Sequence, residues 1–258
     1  MRGRRAYGAP ELWDALHHLD SLISAVVASP RAVFQPRSHR RAVLLLIVAK
    51  AIKTHRSVLL LCEAGYGEDA MLITRSLFEL VITAQYLVQT DSRQRVARYW
   101  AYHQLARKQL MDPKWADADF MAAYQGVTRR TLEAAASRAK RRFGYTRPSS
   151  AFGWAGVSLQ QAAVTVGQGP AYDSFYRLSS QFEHSMLWAL TTYIRDGNAN
   201  ASASPKWVNQ TLATAFTEMR ILLEVVVRAL NLGLLRQVRE VARLGPSVRD
   251  VGSSKRSG

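Results

Sequence analysis

Apolar residues recur every three or four positions through most of this chain, and the interruptions fall where helix ends are expected. Leu12, Leu16, Leu19, Ile23 and Val26 follow Pro10 at that spacing, which predicts a first amphipathic helix closing before Pro30. Ser38 is placed to cap a second helix running to Ala64, and Gly65 stands where a left-handed C-terminal residue is wanted. Glu68 and Asp69 put negative charge at the start of a third helix that reaches about Gln89. A turn as short as Gly65-Tyr66-Gly67 makes the second and third helices an antiparallel hairpin.

Beyond the hairpin the same reading gives further helices. Asp91 can cap a fourth, and a fifth runs from about Asp117 to Phe143, with Arg138, Lys140, Arg141 and Arg142 at its C-terminal end. The stretch GYTRPSSAFGWAGVS reads as a loop anchored by Phe152 and Trp154, followed by a short sixth helix from Ser158 to Gly167. A seventh helix is expected from about Pro170 to Arg195. After a flexible connector, residues 196–205, a last one spans about Pro205 to Leu244, with Leu222, Val226, Leu230 and Leu234 in register. The expected architecture is all-α: a single helical bundle of about eight helices over residues 1–244, with a disordered basic tail at 245–258.

Composition agrees with a folded helical chain, since 48% of its residues are hydrophobic and it holds only 8 Pro and 15 Gly in 258. The apolar run AVLLLIVA at 42–49 is stopped by Lys50 and Lys53, well short of the ~20 residues a membrane span needs. The basic start MRGRRAYGAPELW has no apolar stretch behind it, so a cytoplasmic protein with no membrane partner is expected. Cys62 is the single cysteine, excluding an internal disulfide, and its leucine-rich surroundings mark it as a core residue.

Charge changes the picture more. The net charge is +16, mostly through arginine, whose planar fork suits phosphate. Arg31, Arg37, Arg40, Arg41, Lys50, Lys53 and Arg56 follow one another with no acidic residue between them, and Arg138, Arg141 and Arg142 belong to a second basic stretch containing only Glu133. Such surfaces supply affinity for a polyanion without sequence information, or are simply solvated helix faces.

Two constellations carry candidate chemistry. Arg75 and Glu79 stand one helical turn apart in the apolar run GEDAMLITRSLFELVITAQYL, and a charge on a buried stripe persists only when paired. His55 comes level with Leu77 across the hairpin and is expected to point toward Arg75 and Glu79, or else to be a core histidine. On the seventh helix Arg177, Ser180, Gln181, His184 and Trp188 share one face, opposite Phe175, Phe182 and Met186. Arg75, Glu79, His184, Tyr176 and His55 are expected to meet in the interior.

Residues 57–87 and 153–185, through Gly65, Arg75-Ser76-Leu77-Phe78-Glu79, Trp154-Ala155-Gly156, Tyr176, Ser180 and His184, resemble the domain of unknown function 5677 family of helical bacterial proteins. The resemblance implies an all-helical fold and no established activity. Arg177 and His184, spaced R-x6-H, also resemble the motif of HEPN-type helical ribonucleases, although Leu178 stands where that motif usually has a polar residue. That likeness implies a metal-independent endoribonuclease of a toxin or defence system. In it His184 would move the proton of a ribose 2′-hydroxyl and Arg177 would stabilise the phosphorane, with Arg75 and Glu79 as further catalytic candidates.

The leading expectation is a noncatalytic binding protein for a polyanion or a protein partner, with His55, Tyr176, Ser180, Arg138, Arg141 and Arg142 as binding candidates. Nucleic acid is the expected polyanion, RNA ahead of DNA, and a homodimer is open. No cofactor and no metal are expected, since the paired Glu-x-x-His motifs of carboxylate bundles are absent and His17, His18, Asp14 and Asp20 form too loose a cluster.

Overall fold

Apolar stripes this regular can be buried only against one another, and the fold is the resulting packing of helices. The computed structural model describes residues 7–33, 38–110, 128–145, 152–195, 197–199 and 201–245. Helix α1 spans Pro10–Ala28, α2 His39–Glu63, α3 Gly67–Val88 and α4 Ser92–Leu110. Then come α5, Arg129–Phe143, and α6, Leu159–Thr165, followed by α7, Arg177–Glu183, which is entered through a π-helical turn at Tyr172–Tyr176. Helices α8, Val208–Leu230, and α9, Leu235–Arg243, complete the order. Among the described residues the only strands are a two-residue ribbon pairing Ile194–Arg195 with Asn198–Ala199, so the protein is all-α.

Helix α3 lies at the centre, packed against α2, α8, α4, α6 and α7. Leu77, Phe78, Val81, Ile82 and Leu87 on it are fully buried, each contributing about 1.5 to 3 kcal/mol by leaving water. By length and composition α3 could cross a membrane, yet it is covered on several sides by protein, as a core helix is.

Main-chain contacts set the directions of the surrounding helices. The Thr211 hydroxyl donates to the Gly67 carbonyl, so α8 starts where α3 starts and runs alongside it. A Cβ on Gly67 would come within 2.7 Å of the Val208 backbone nitrogen, which is why this position holds glycine. The Ala9 amide donates to Asn209 Oδ1 and Arg31 Nη1 donates to the Asn231 carbonyl, placing α1 parallel to α8 from end to end. Helix α2 runs the other way, as the short Gly65-Tyr66-Gly67 turn requires.

Four helices end in the same way. In each, the residue two beyond the cap reaches back five positions and the residue before it reaches back three, a Schellman closure with a left-handed residue at the turn. Tyr66 donates to Leu61 around Gly65, Gln168 to Ala163 around Gly167, Leu232 to Val227 around Asn231, and Met186 to Gln181 around Ser185. The last two correct the expected boundaries. The final helix is not continuous to Leu244 but stops at Leu230, so Leu234 lies outside the register of Leu222, Val226 and Leu230. The expected seventh helix stops at Glu183 instead of reaching Arg195. Thr128 caps α5, and the expected start of that helix near Asp117 lies outside the described residues, as does the tail beyond Gly245.

Cys62, His55 and Glu218 are buried ionisable groups that form no ion pair among the described residues. Cys62 is fully buried and burial pushes its thiol up to about 12, an inert side chain. Burial lowers His55 to about 4, against the pull of Asp20, and raises Glu218 to about 8, against Arg220. Their effects on stability have opposite signs. A histidine held neutral costs stability as pH falls from 6.5 through about 4. Glu218, held protonated, supports the fold fully below its ordinary value of 4.5, and that support is lost as pH rises through about 8. Glu218→Gln is therefore expected to leave the melting temperature nearly unchanged at pH 4 and to raise it progressively toward pH 9. Scanning calorimetry across that range checks it, and an equal shift at every pH would contradict it.

Candidate functional site

The charged pair of α3 does not point into solvent. The Arg75 side chain is 17% exposed, and Glu79 lies one turn further along, with 3.6 Å between Arg75 Nε and Glu79 Oε1. Tyr176, on the π-helical turn before α7, completes the pair: Arg75 Nη2 donates to the Tyr176 hydroxyl at 2.8 Å, and that hydroxyl donates to Glu79 Oε1 at 2.8 Å. The guanidinium also sits 4.5 Å from the centre of the Tyr176 ring, which packs on Phe78 beneath it. Arg75 makes a further ion pair through Nη1 with Glu183, the last residue of α7. One guanidinium thus ties α3 to both ends of the segment 176–183.

This arrangement suits a brace better than an acid–base pair. Burial pushes the Tyr176 hydroxyl to about 12, the Arg75 hydrogen bond opposing the rise and Glu79 adding to it. Such a phenol holds its proton near neutral pH. The network forms one wall of an open cleft of about 550 Å³, whose other walls include Lys50, Ser76, Tyr99, Ser158 and Leu159.

His184 stands at the edge of this network, 67% exposed, with Nε2 3.7 Å from Glu183 Oε2. It is the cap residue after α7. Arg177 opens the same helix, is 68% exposed and pairs with Asp173 at 3.8 Å. A rise of about 10 Å separates the two along the helix axis. Ser180 is half-buried between them. Trp188 lies beyond the helix, because the left-handed Ser185 turns the chain first, yet its Nε1 still donates to Gln181 Oε1 at 3.4 Å, and Met186 emerges into solvent. His55 is buried but belongs elsewhere: its electrostatic neighbours are Asp20 of α1 and Arg56, and no hydrogen bond or ion pair joins it to Arg75, Glu79 or Tyr176. The interior meeting point therefore holds Arg75, Glu79 and Tyr176 and leaves His55 out.

The basic residues form a second site. Helices α4 and α5 pack through Leu105, Ala136 and Ala139 and diverge into a cleft of about 880 Å³. Arg107, Arg138, Arg141 and Arg142 line it, together with His39, Trp100 and Phe143, and no carboxylate lines it among the described residues. Arg138 and Arg142 are one turn apart and Arg141 lies between them, so the helical repeat brings all three to the cleft. None of these three forms an ion pair among the described residues. His39 stacks flat on Trp100, with ring centres 4.8 Å apart and planes 6° from parallel.

Among the described residues no group of three or more His, Cys, Asp or Glu side chains gathers as a metal-holding cluster. Sequence reasoning missed Glu183, the His39–Trp100 stack and, in the core, Glu218. Glu183 is separated from Arg75 by more than a hundred residues, and the His39–Trp100 stack joins α2 to α4, so neither leaves a local signal. Glu218 does leave one, since it falls in the stripe Thr211, Ala215, Glu218, Leu222.

The chain belongs to the family of unknown function DUF5677, which matches residues 41–201. The matched region contains the whole Arg75–Glu79–Tyr176–Glu183 network and every arginine of the basic cleft, while α1, α8 and α9 lie outside it. No curated protein and no solved structure matches the chain.

Tyr176→Phe removes both hydrogen bonds and leaves the ring in place. The expected cost is about 1 to 2 kcal/mol of unfolding free energy, with Arg75→Ala costing about 1 to 3 kcal/mol because it removes the cation shared by two partly exposed carboxylates. Urea denaturation of the two single variants and the double variant checks this. Strict additivity would show that the hydroxyl and the guanidinium do not act together.

Proposed function

We propose that the protein is a noncatalytic polyanion-binding protein whose cleft between α4 and α5 receives the phosphate backbone of a nucleic acid. The observation that carries the reading is the lining of that cleft: four arginines, no carboxylate, and three of the arginines without an ion pair among the described residues. Uncompensated guanidinium groups in a concave surface concentrate positive potential where a phosphate would sit, and their forks match its oxygens in pairs. The net charge of +16 supports the same partner at longer range, by drawing a polyanion toward the surface before contact.

RNA is favoured over DNA. The flat His39–Trp100 pair gives an aromatic surface at the cleft, and unpaired bases, commoner in RNA, stack on such surfaces. The braced Arg75–Tyr176–Glu79 network supports the noncatalytic part of the reading, because its groups are engaged with one another and its phenol is held far from a working pKa.

Fluorescence anisotropy with a labelled single-stranded RNA tests this. The wild-type protein should bind with an affinity that falls steeply with salt, and the triple variant Arg138→Ala, Arg141→Ala, Arg142→Ala should bind at least ~10-fold more weakly, with a log–log salt slope shallower by about 2 to 3. The same RNA incubated in EDTA should stay intact. Cleavage that disappears in His184→Ala would replace this reading with the metal-independent ribonuclease implied by the Arg177 and His184 spacing. An unchanged affinity in the triple variant would remove the cleft as the binding surface.

A further inference from the structure

The strongest unexplained feature of the surface lies just beyond the end of α7. Ser185 takes a left-handed backbone conformation, φ +50°, and closes the helix. The chain that follows is turned outward and displays Met186, Leu187, Trp188, Leu190, Tyr193 and Ile194 to solvent, with Leu187 81% exposed. Other exposed apolar residues, such as Val27, Leu46 and Val164, are scattered singly over the surface, as is ordinary. The cluster at 186–194 is different in kind. These six side chains follow one another closely in the chain, and an exposed apolar patch of a few hundred Å² on a monomer marks an interaction surface.

We propose that residues 186–194 form the self-association face of the protein, through which two copies pair about a two-fold axis. Charge decides between the occupants of such a face. A surface for anionic lipid or nucleic acid would be rimmed with cations, as the cleft between α4 and α5 is. Here the recess beside Tyr193 and Ile194 is lined by the exposed Asp69 and by Lys206, with Glu68 buried behind them, so the rim carries both signs in a chain of net charge +16. A mixed rim is what a self-complementary interface needs, since each copy must offer the other both a carboxylate and an ammonium. Trp188 and Tyr193 supply the aromatic anchors that dominate such interfaces, and Trp188 is braced from behind by Phe182, with ring centres 5.8 Å apart. The proposal does not depend on the basic cleft and stands or falls separately.

Light scattering coupled to size-exclusion chromatography, at micromolar and at tenth-millimolar concentration, tests it with the full chain. Twice the 28.9 kDa chain mass is expected for the wild type at the higher concentration. Leu187→Asp, at a side chain already in solvent, should keep the helical circular dichroism and weaken the dimer at least tenfold. Leu46→Asp, at the far end of α2 from this face, should dimerise like the wild type. A wild-type monomer at both concentrations, or a Leu187→Asp protein that dimerises unchanged, would overturn the proposal. So would a monomer that sediments with phosphatidylserine vesicles through Leu187, which would make the face a lipid surface.

Discussion

A charge inside a largely apolar helix has to be answered by other side chains where little water reaches it, and most of the distinctive structure around α3 is that answer. Helix α3 is covered by α2, α8, α4, α6 and α7, so Arg75 has few directions in which its charge can be met. Glu79 meets part of it one turn away. Tyr176 and Glu183 meet the rest from another helix, and in doing so they fix where that helix lies. The π-helical turn at Tyr172–Tyr176 widens the backbone just where the phenol must reach the pair. The ion pair is therefore better understood as specifying one packing arrangement than as a net source of stability.

The two sites divide the molecule by chemistry. On α3 and α7 every charged group of the network has an opposite charge or a hydroxyl in contact, and burial keeps the phenol protonated. In the cleft between α4 and α5 the charges on the described lining residues are all positive, and Arg138, Arg141 and Arg142 are exposed and form no ion pair among the described residues, with an aromatic stack beside them. A satisfied interior network holds a fold in place, whereas an unsatisfied surface array is available to something outside the chain. That contrast is why the basic cleft, and not the family's charged motif, is taken as the functional surface. Both lie within the region that defines the family.

Much of the fold was legible in local spacing. The first three helices, the hairpin at Gly65 and the capped helix at Ser158 follow from periodicity and end signals that act within a few residues. The misplaced boundaries have a common cause. Gly65 and Gly167 announce a left-handed stop because glycine adopts it freely, Asn231 announces one faintly, and Ser185 gives no warning, since serine is an ordinary helix residue. The pairing of Arg75 with Glu79 was readable from their four-residue spacing, whereas the reach to Tyr176 and Glu183 depended on how distant helices pack. His55 shows the limit of counting along a hairpin: the height was derivable, but the side toward which the ring faces was decided by α1, which brings Asp20 to it.

The close seating of Gly67 against the first turn of α8 bears on the order in which the chain can fold during its synthesis. Those two backbones are some 140 residues apart, and the last to emerge supplies one of the largest covers for the core. Until it does, the emerging polypeptide carries α3, the most membrane-like of its helices, with a long greasy flank unshielded. Truncated products ending before about residue 205 would expose that flank permanently. A cell making this protein has reason to hold the growing chain with a chaperone, or to translate it without pause.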